Sequence, residues 1–539
     1  MKRAIIGGVV AIVAIALGVF LLWQWNQKSI PAAQVAPANS VFYAEMPHLS
    51  ETAKRWPKAA LYQILAEPSM QRFLKRPLAK VPVRVQNAWA AVVRLHPGAL
   101  FFSTIDPDKE DWILGIQSSA GRSTWLKEVG TIGINVFGRE AKELPLAGHG
   151  DSDRLVATKV GSWVLLARHA ETVRQAIENT KNAAGGIQSA KSFQQCLANV
   201  PAACDLLCFL QNGPSFDLTQ KVPGQLLQLR GEGEIRAVLA TSVLEGERIR
   251  DTVFTYTENN EKSVPFERRA LSITSPRTIG YFAARAGLSG LWRLSDQFAD
   301  TWPIAETLRN YLDEARSFGI DPEDFDKLIS TIEIVLDRDE RTDGLNILLL
   351  LRVTDPDRFQ RLLDDVANQK FPDSCSKIDI SGSPAYKMQL NARASIVFGM
   401  NGHELLVAGN ANVFSDAITR LRAGAVGLEK NEQYKQATSL VAQPDGLFVY
   451  FDLKTGFERF YNASRPMLAL GATLIPALAE YVDGSLLPET EQVSRHLSPI
   501  VLCRHWVKDG AIDESVGPVT AYEGSALLLG AAVTMGLVK

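Results

Sequence analysis

The chain has 539 residues, 46% of them hydrophobic and 22% charged, with a formal net charge of −2. That length is several times the usual domain of roughly 100–200 residues, so at least two sizeable cores are expected. The balance is that of an ordinary globular protein, and it excludes the basic footprint of a nucleic-acid partner.

The first predicted element is a membrane span. Met1, Lys2 and Arg3 precede an uninterrupted apolar run from Ala4 to Trp23, about the 20 residues that cross roughly 30 Å of hydrocarbon. Lys2 and Arg3 before the run, against Lys28 alone soon after it, place the N-terminus in the cytoplasm, and Trp23 and Trp25 suit the far interface. Residues 1–28 are therefore expected to be a cytoplasmic tip and signal-anchor, with residues 4–23 in the inner membrane and the bulk of the chain periplasmic or otherwise extracytoplasmic. The competing reading is a cleaved signal peptide, because Ala36-Pro37-Ala38 has the small-x-small form. Against it, the run exceeds an h-region of about 7–15 residues, and the site lies far past its end. No cysteine stands near it, so a lipoprotein signal is excluded.

Residues 29–39 (SIPAAQVAPAN) read as an extended tether, since prolines and small residues neither continue a helix nor build a core. Beyond it the chain repeats itself. Gly161-Ser162-Trp163-Val164-Leu165-Leu166-Ala167, with Ala170 to Ile177 after it, matches Gly402-His403-Glu404-Leu405-Leu406-Val407-Ala408 with Ala411 to Ile418 at an offset of 241 residues. At that offset Phe193 falls on Tyr434 and Leu206 on Leu447. Each copy predicts strand, turn, amphipathic helix, Gly-containing loop, second helix and strand. Looser matches extend it: Trp112 to Gln117 and Thr124 to Val129 parallel Asn346 to Arg352 and Phe359 to Val366, and Ser40 to Ala44 parallels Thr278 to Ala283. Both halves close with a hairpin, Ile235 to Tyr256 about Glu245-Gly246 and Pro499 to Thr520 about Lys508-Asp509-Gly510, where Asp-Gly is a favoured turn pair. The second half carries an extra apolar helix, Met467 to Tyr481.

The expected fold class is thus α+β: an N-terminal transmembrane helix, then two tandem related mixed α/β domains with antiparallel sheets, at residues 40–260 and 270–520. Residues 521–539 form an apolar tail. Its run from Ala526 to Val538 is short for a span of about 20 residues, so a docked or membrane-adjacent tail is expected; the alternative of insertion would leave Lys539 cytoplasmic. The cysteines, Cys196, Cys204, Cys208, Cys375 and Cys503, are too few and scattered for a disulfide framework, and small buried thiols are expected.

This combination of anchor, duplicated strand-helix-helix-strand halves and closing hairpins resembles a bacterial family of uncharacterised envelope proteins, domain of unknown function 3352. The resemblance covers most of the chain and rests on packing patterns. It implies an extracytoplasmic location and brings no catalytic residues with it.

Chemistry has three candidate footholds. Ser374-Cys375-Ser376-Lys377 and Lys454-Thr455-Gly456 have the S-x-x-K and K-T-G forms of penicillin-recognising acyl enzymes, in which Ser374 would attack, Lys377 assist its deprotonation and Lys454 line the pocket. The context disagrees: Lys377 leads into an alternating strand rather than a helix, and Ser415-Asp416-Ala417 lacks the Asn of the third element. His149, Asp151 and Asp153 gather metal-capable groups in a loop, which reads better as solvated because such close spacing seldom converges. Lys54 to Lys58 and Arg72 to Lys80 are basic segments that would suit anionic headgroups or, more simply, a solvated helix face. Asp337 to Gly344 reads as a charged hairpin tip, and Asp355 before Pro356 as a helix cap. No cofactor motif appears. The sequence therefore points to a non-enzymatic envelope protein binding a protein, lipid or glycan partner, with the serine acyl-transfer hydrolase as its alternative.

Overall fold

The computed structural model describes residues 30–143, 154–182, 185–213, 216, 234–257, 267–285, 313, 327–338, 345–389, 395–424, 427–474 and 483–519. The expected anchor at 4–23, the loop holding His149, Asp151 and Asp153, and the tail at 521–539 lie outside them. Among the described residues no helix is long and apolar enough to cross a membrane. The fold is mixed α+β with mostly antiparallel sheet, in two compact units: Met1–Pro47 with Val83–Ala190, and His48–Pro82 with Lys191–Lys539.

In the first unit, β1 (Phe42–Met46), β2 (Leu100–Asp106), β3 (Asp111–Gln117), β4 (Ala141–Glu143), β5 (Leu155–Val160) and β6 (Trp163–Ala167) pair in the order β1-β2-β3-β6-β5-β4, with only β4–β5 parallel. β6, Trp-Val-Leu-Leu-Ala, is buried along its whole length because it lies inside the sheet with both faces covered. The helices Arg122–Phe137 and Val83–Arg94 pack together, and Trp112, Ile116, Trp125, Val129 and Leu166 meet in one core. The first of these helices stops at Gly138, whose φ of 66° only glycine adopts freely.

Residues 30–39 are not extended. Ala32–Val35 forms a helical turn, and Ala32, Val35 and Ala36 are buried. The Trp163 indole N–H donates to the Ile30 carbonyl at 2.7 Å, and Ile187 N–H donates to the Ala36 carbonyl at 2.9 Å. The small side chains that suggested a tether instead let the backbone press against a loop: a Cβ on Gly186 would stand 2.2 Å from the Gln34 carbonyl oxygen.

In the second unit the sheet runs β7-β8-β9-β19-β18-β17-β10-β11-β12-β16-β15-β14-β13, every neighbouring pair antiparallel. The strands are β7 (Leu206–Gln211), β8 (Ile235–Glu245), β9 (Arg248–Thr257), β10 (Thr278–Arg285), β11 (Ile329–Arg338), β12 (Leu345–Val353), β13 (Cys375–Ile380), β14 (Ser383–Gln389), β15 (Ser395–Asn401), β16 (Glu404–Ala408), β17 (Leu447–Phe451), β18 (Ile500–Val507) and β19 (Gly510–Gly517). β9 and β19 lie side by side, with Thr252 opposite Glu514 and Asp251 opposite Ser515. Both closing hairpins form, the first turning one residue past the expected pair and the second within the expected Lys508-Asp509-Gly510. Gly246 (φ 68°) and Glu247 turn the first, while Lys508 and Asp509 (φ 67°) turn the second. Gly510 is already in β19, where a Cβ would meet the Thr255 carbonyl oxygen at 2.2 Å.

Tyr281, Phe448 and Tyr450 of the sheet are fully buried in this unit's core together with Phe414 of the helix Ala411–Ala423, and Tyr434 of the helix Glu432–Thr438 joins them. Asn410 and Asn431 cap those helices, accepting from Val413 N–H at 3.0 Å and Gln433 N–H at 2.8 Å. The expected helix at 467–481 belongs to a longer one, Leu453–Leu474, that starts directly after β17; residues 475–482 lie outside the described set. Polar groups are built into the core as well, among them Glu333 and the Arg504–Asp513 pair. Glu333 accepts from the Tyr281 hydroxyl at 2.6 Å and from Arg269 and Ala270 N–H at 2.9 Å each. Arg504 forks onto Asp513 at 2.6 and 2.7 Å, both side chains at most 3% exposed. None of the five cysteines is in a disulfide.

Candidate functional site

A cleft of about 270 Å³ opens in the second unit where the start of β9, the helix Glu432–Thr438, the start of the helix Leu453–Leu474 and the loop before β18 converge. Arg248, Gln433, Gln436, Asp452, Lys454 and Ser498 supply its polar lining, with Leu440 and Pro499 among the apolar walls. Lys454 is exposed because it occupies the first turn of its helix, where Asp452 caps the backbone by accepting from Thr455 N–H at 3.2 Å and its hydroxyl at 2.7 Å. Asp452 is thereby engaged, and among the described residues no carboxylate pairs with Arg248 or Lys454. The recess presents cations and amides with donors to spare, which suits a ligand rich in acceptor oxygens.

The structure does not assemble the acyl-enzyme constellation. Lys454 stands beyond β17, whereas Ser374 and Lys377 stand at β13, with β14, β15, β16, β12, β11 and β10 between the two strands. Lys454-Thr455-Gly456 begins a helix rather than forming a pocket-side strand. Lys377 is bonded to Asp364 at 2.7 Å and lies over the Tyr386 ring at 5.5 Å. Asp364 raises the Lys377 pKa, the reverse of what a lysine acting as base requires, and Lys377 in turn holds the Asp364 carboxyl below its ordinary range. Ser374 occupies the turn before β13, its carbonyl accepting from Gln389 N–H at 2.8 Å.

A cluster that the sequence reading missed lies on the β18–β19 hairpin. Cys503 and His505 alternate onto one face of β18, and Glu514 is the cross-strand partner of Cys503. One ligand atom from each lies within 4.8 Å of the others. The Cys503 sulfur is 3.9 Å from Glu514 Oε2, which also accepts from Ala442 N–H at 2.9 Å. Burial first, then the Glu514 and Asp513 carboxylates, pushes the Cys503 thiol up to about 12. The Nδ1 atom of His505 is buried with no hydrogen-bond partner among the described residues. The signal was present in the sequence: once Val507 opposes Gly510 across the turn, Cys503 falls opposite Glu514.

The basic segments are partly occupied. Arg55 pairs with buried Asp205, Arg76 reaches Asp483 at 3.4 Å, and Arg72 donates to the Pro68 carbonyl at 3.3 Å. In the first unit, Val85, Trp89 and Val93 form a stripe on the helix Val83–Arg94 at 50%, 62% and 51% exposure, a one-turn spacing that puts them on one side.

No family model matches the chain, and no curated protein does. Among solved structures, crystal forms III and I of the spirochaete protein TP0453 are similar over 46% and 44% of this chain and 78% and 82% of that one, at 11% and 9% identity and TM-scores of 0.26 and 0.25. At that level the likeness says nothing about activity or ligand.

Proposed function

We propose that this chain is a membrane-anchored, extracytoplasmic binding or scaffolding component of the bacterial envelope, related to the family of domain of unknown function 3352, and that it holds a polar ligand at the Arg248–Lys454 cleft. The observation carrying the ligand class is the lining: two cations that have no carboxylate partner among the described residues, two glutamines and a serine around a small recess whose one lining carboxylate, Asp452, is already engaged by Thr455. That favours a glycan or an acidic protein segment over a lipid, whose chain needs a long apolar channel. The span at 4–23 supplies the anchor in this reading, and the exposed Val85-Trp89-Val93 stripe is compatible with a nearby membrane surface.

The two halves are proposed to be copies of one domain. Supporting this, β1-β2-β3-β6-β5 and β10-β11-β12-β16-β15 share one pairing order. The turns into β6 and β16 use Gly161 and Gly402, with φ of 57° and 63°, at the 241-residue offset. Gly186 and Gly427 share that offset, and a Cβ on either would strike a carbonyl oxygen of the segment before its half's first strand, at 2.2 and 2.1 Å.

Cross-linking in intact cells with affinity purification tests the reading. The protein should retain a reproducible envelope partner, and Arg248→Glu with Lys454→Glu should lose it. Equal capture by the double variant would remove the cleft from consideration. Labelling of Ser374 by a fluorophosphonate or β-lactam probe would instead restore the hydrolase.

A further inference from the structure

We infer that Cys503, His505 and Glu514 form a zinc-type metal site on the β18–β19 hairpin, with one coordination position left for water or a ligand donor. The inference is independent of the cleft and of the anchor. Thiolate sulfur, imidazole nitrogen and carboxylate oxygen are the donors zinc takes, and three protein ligands plus one open position is a recurrent zinc arrangement. Bond lengths of about 2.0–2.3 Å place tetrahedral ligand atoms about 3.3–3.8 Å apart. The Cys503–Glu514 separation of 3.9 Å is nearly there, and one ligand atom from each of the three residues already lies within 4.8 Å of the others.

Three features of the surroundings agree. The hairpin register fixes all three Cβ atoms on one face, so the set is organised by backbone pairing rather than by a loop. Ala442 N–H holds the Glu514 carboxylate from outside, the kind of supporting bond that orients a ligating oxygen. His505 Nδ1 is buried with no hydrogen-bond partner among the described residues, an unpaired atom that coordination through it would satisfy. The neighbouring cation Arg250 is already neutralised by Glu245 at 2.8 Å and donates to the Leu440 carbonyl at 2.8 Å. One Zn²⁺ against one thiolate and one carboxylate is charge-neutral. Binding forms the Zn–S bond, and the thiol proton leaves to solvent.

Cobalt substitution of the full chain in detergent, after chelator treatment under reducing conditions, tests this. One equivalent of Co²⁺ should give a thiolate charge-transfer band with visible bands of tetrahedral intensity, and added Zn²⁺ should bleach both. Cys503→Ser should abolish the charge-transfer band, Cys375→Ser should keep it, and Glu514→Gln should weaken Co²⁺ binding about tenfold or more. Absence of the thiolate band at one equivalent, or its persistence in Cys503→Ser, overturns the site. Should Cys503→Ser fail to fold, the exposed-side variant decides: Glu514→Gln binding Co²⁺ as tightly as the native chain overturns it equally.

Discussion

At the residue scale, what a side chain touches outranked the motif it belongs to. Asp355 caps its helix as its neighbours imply, accepting from Arg358 N–H at 3.0 Å. Ser374, Lys377 and Lys454 have the right letters, but a short motif carries no information about which strand lies beside which, and the sheet order separates them. Glu333 was invisible in the same way, since nothing in Ile329–Arg338 reveals that a carboxylate there is buried. Burial pushes its carboxyl from the ordinary 4.5 to about 7, against the pull of its three donors. Between those values the unfolded chain releases the proton while the native state keeps it. Stability should therefore fall as pH rises through that window. Glu333→Gln should flatten the dependence while costing about 1–3 kcal/mol, because an amide leaves one of the donors unpaired. Urea midpoints at pH 5 and pH 8 check both, and an unchanged slope in the variant would remove Glu333 as its source.

At the element scale, strands and helices were largely legible because apolar periodicity records burial, and burial made them. The 241-residue match correctly anticipated β6 with its following helix and β16 with its own. Turns were legible to within a residue: Gly246 and Glu247 rather than Glu245 and Gly246 make the first, and within Lys508-Asp509-Gly510 it is Asp509 that takes the left-handed conformation, while Gly510 is needed for close approach to β9. The segment at 30–39 was misread because small residues serve a tether and a tight contact equally well. The glycines separate these roles experimentally. Gly427→Ala places a Cβ 2.1 Å from the Thr274 carbonyl oxygen and should cost about 1–3 kcal/mol or more. Gly402→Ala meets nothing within 4 Å and pays only the left-handed strain, about 1–2 kcal/mol. Denaturant midpoints should rank the two in that order.

At the scale of the whole molecule, local periodicity cannot say which edge meets which, so the β9–β19 pairing was not legible. Arg248 and Gly510 each begin the return strand of a closing hairpin, opposite Glu245 and Val507. Counting from them, Thr252 holds the same position in β9 that Glu514 holds in β19, and these two residues face each other. The seam therefore maps onto itself, like the contact of a two-fold dimer. A fragment of residues 267–519 would expose β19, and meeting a second copy in the register that β9 uses would set Glu514 against Glu514, a like-charge cross-strand pair. Thr252 relieves that conflict. Separated fragments should accordingly prefer each other, with residues 267–519 monomeric alone, capturing the first half in equal proportion when mixed, and dimerising once Glu514→Thr is made. Size-exclusion chromatography distinguishes these outcomes. One threonine would then be what makes the two halves partners rather than rivals for self-association.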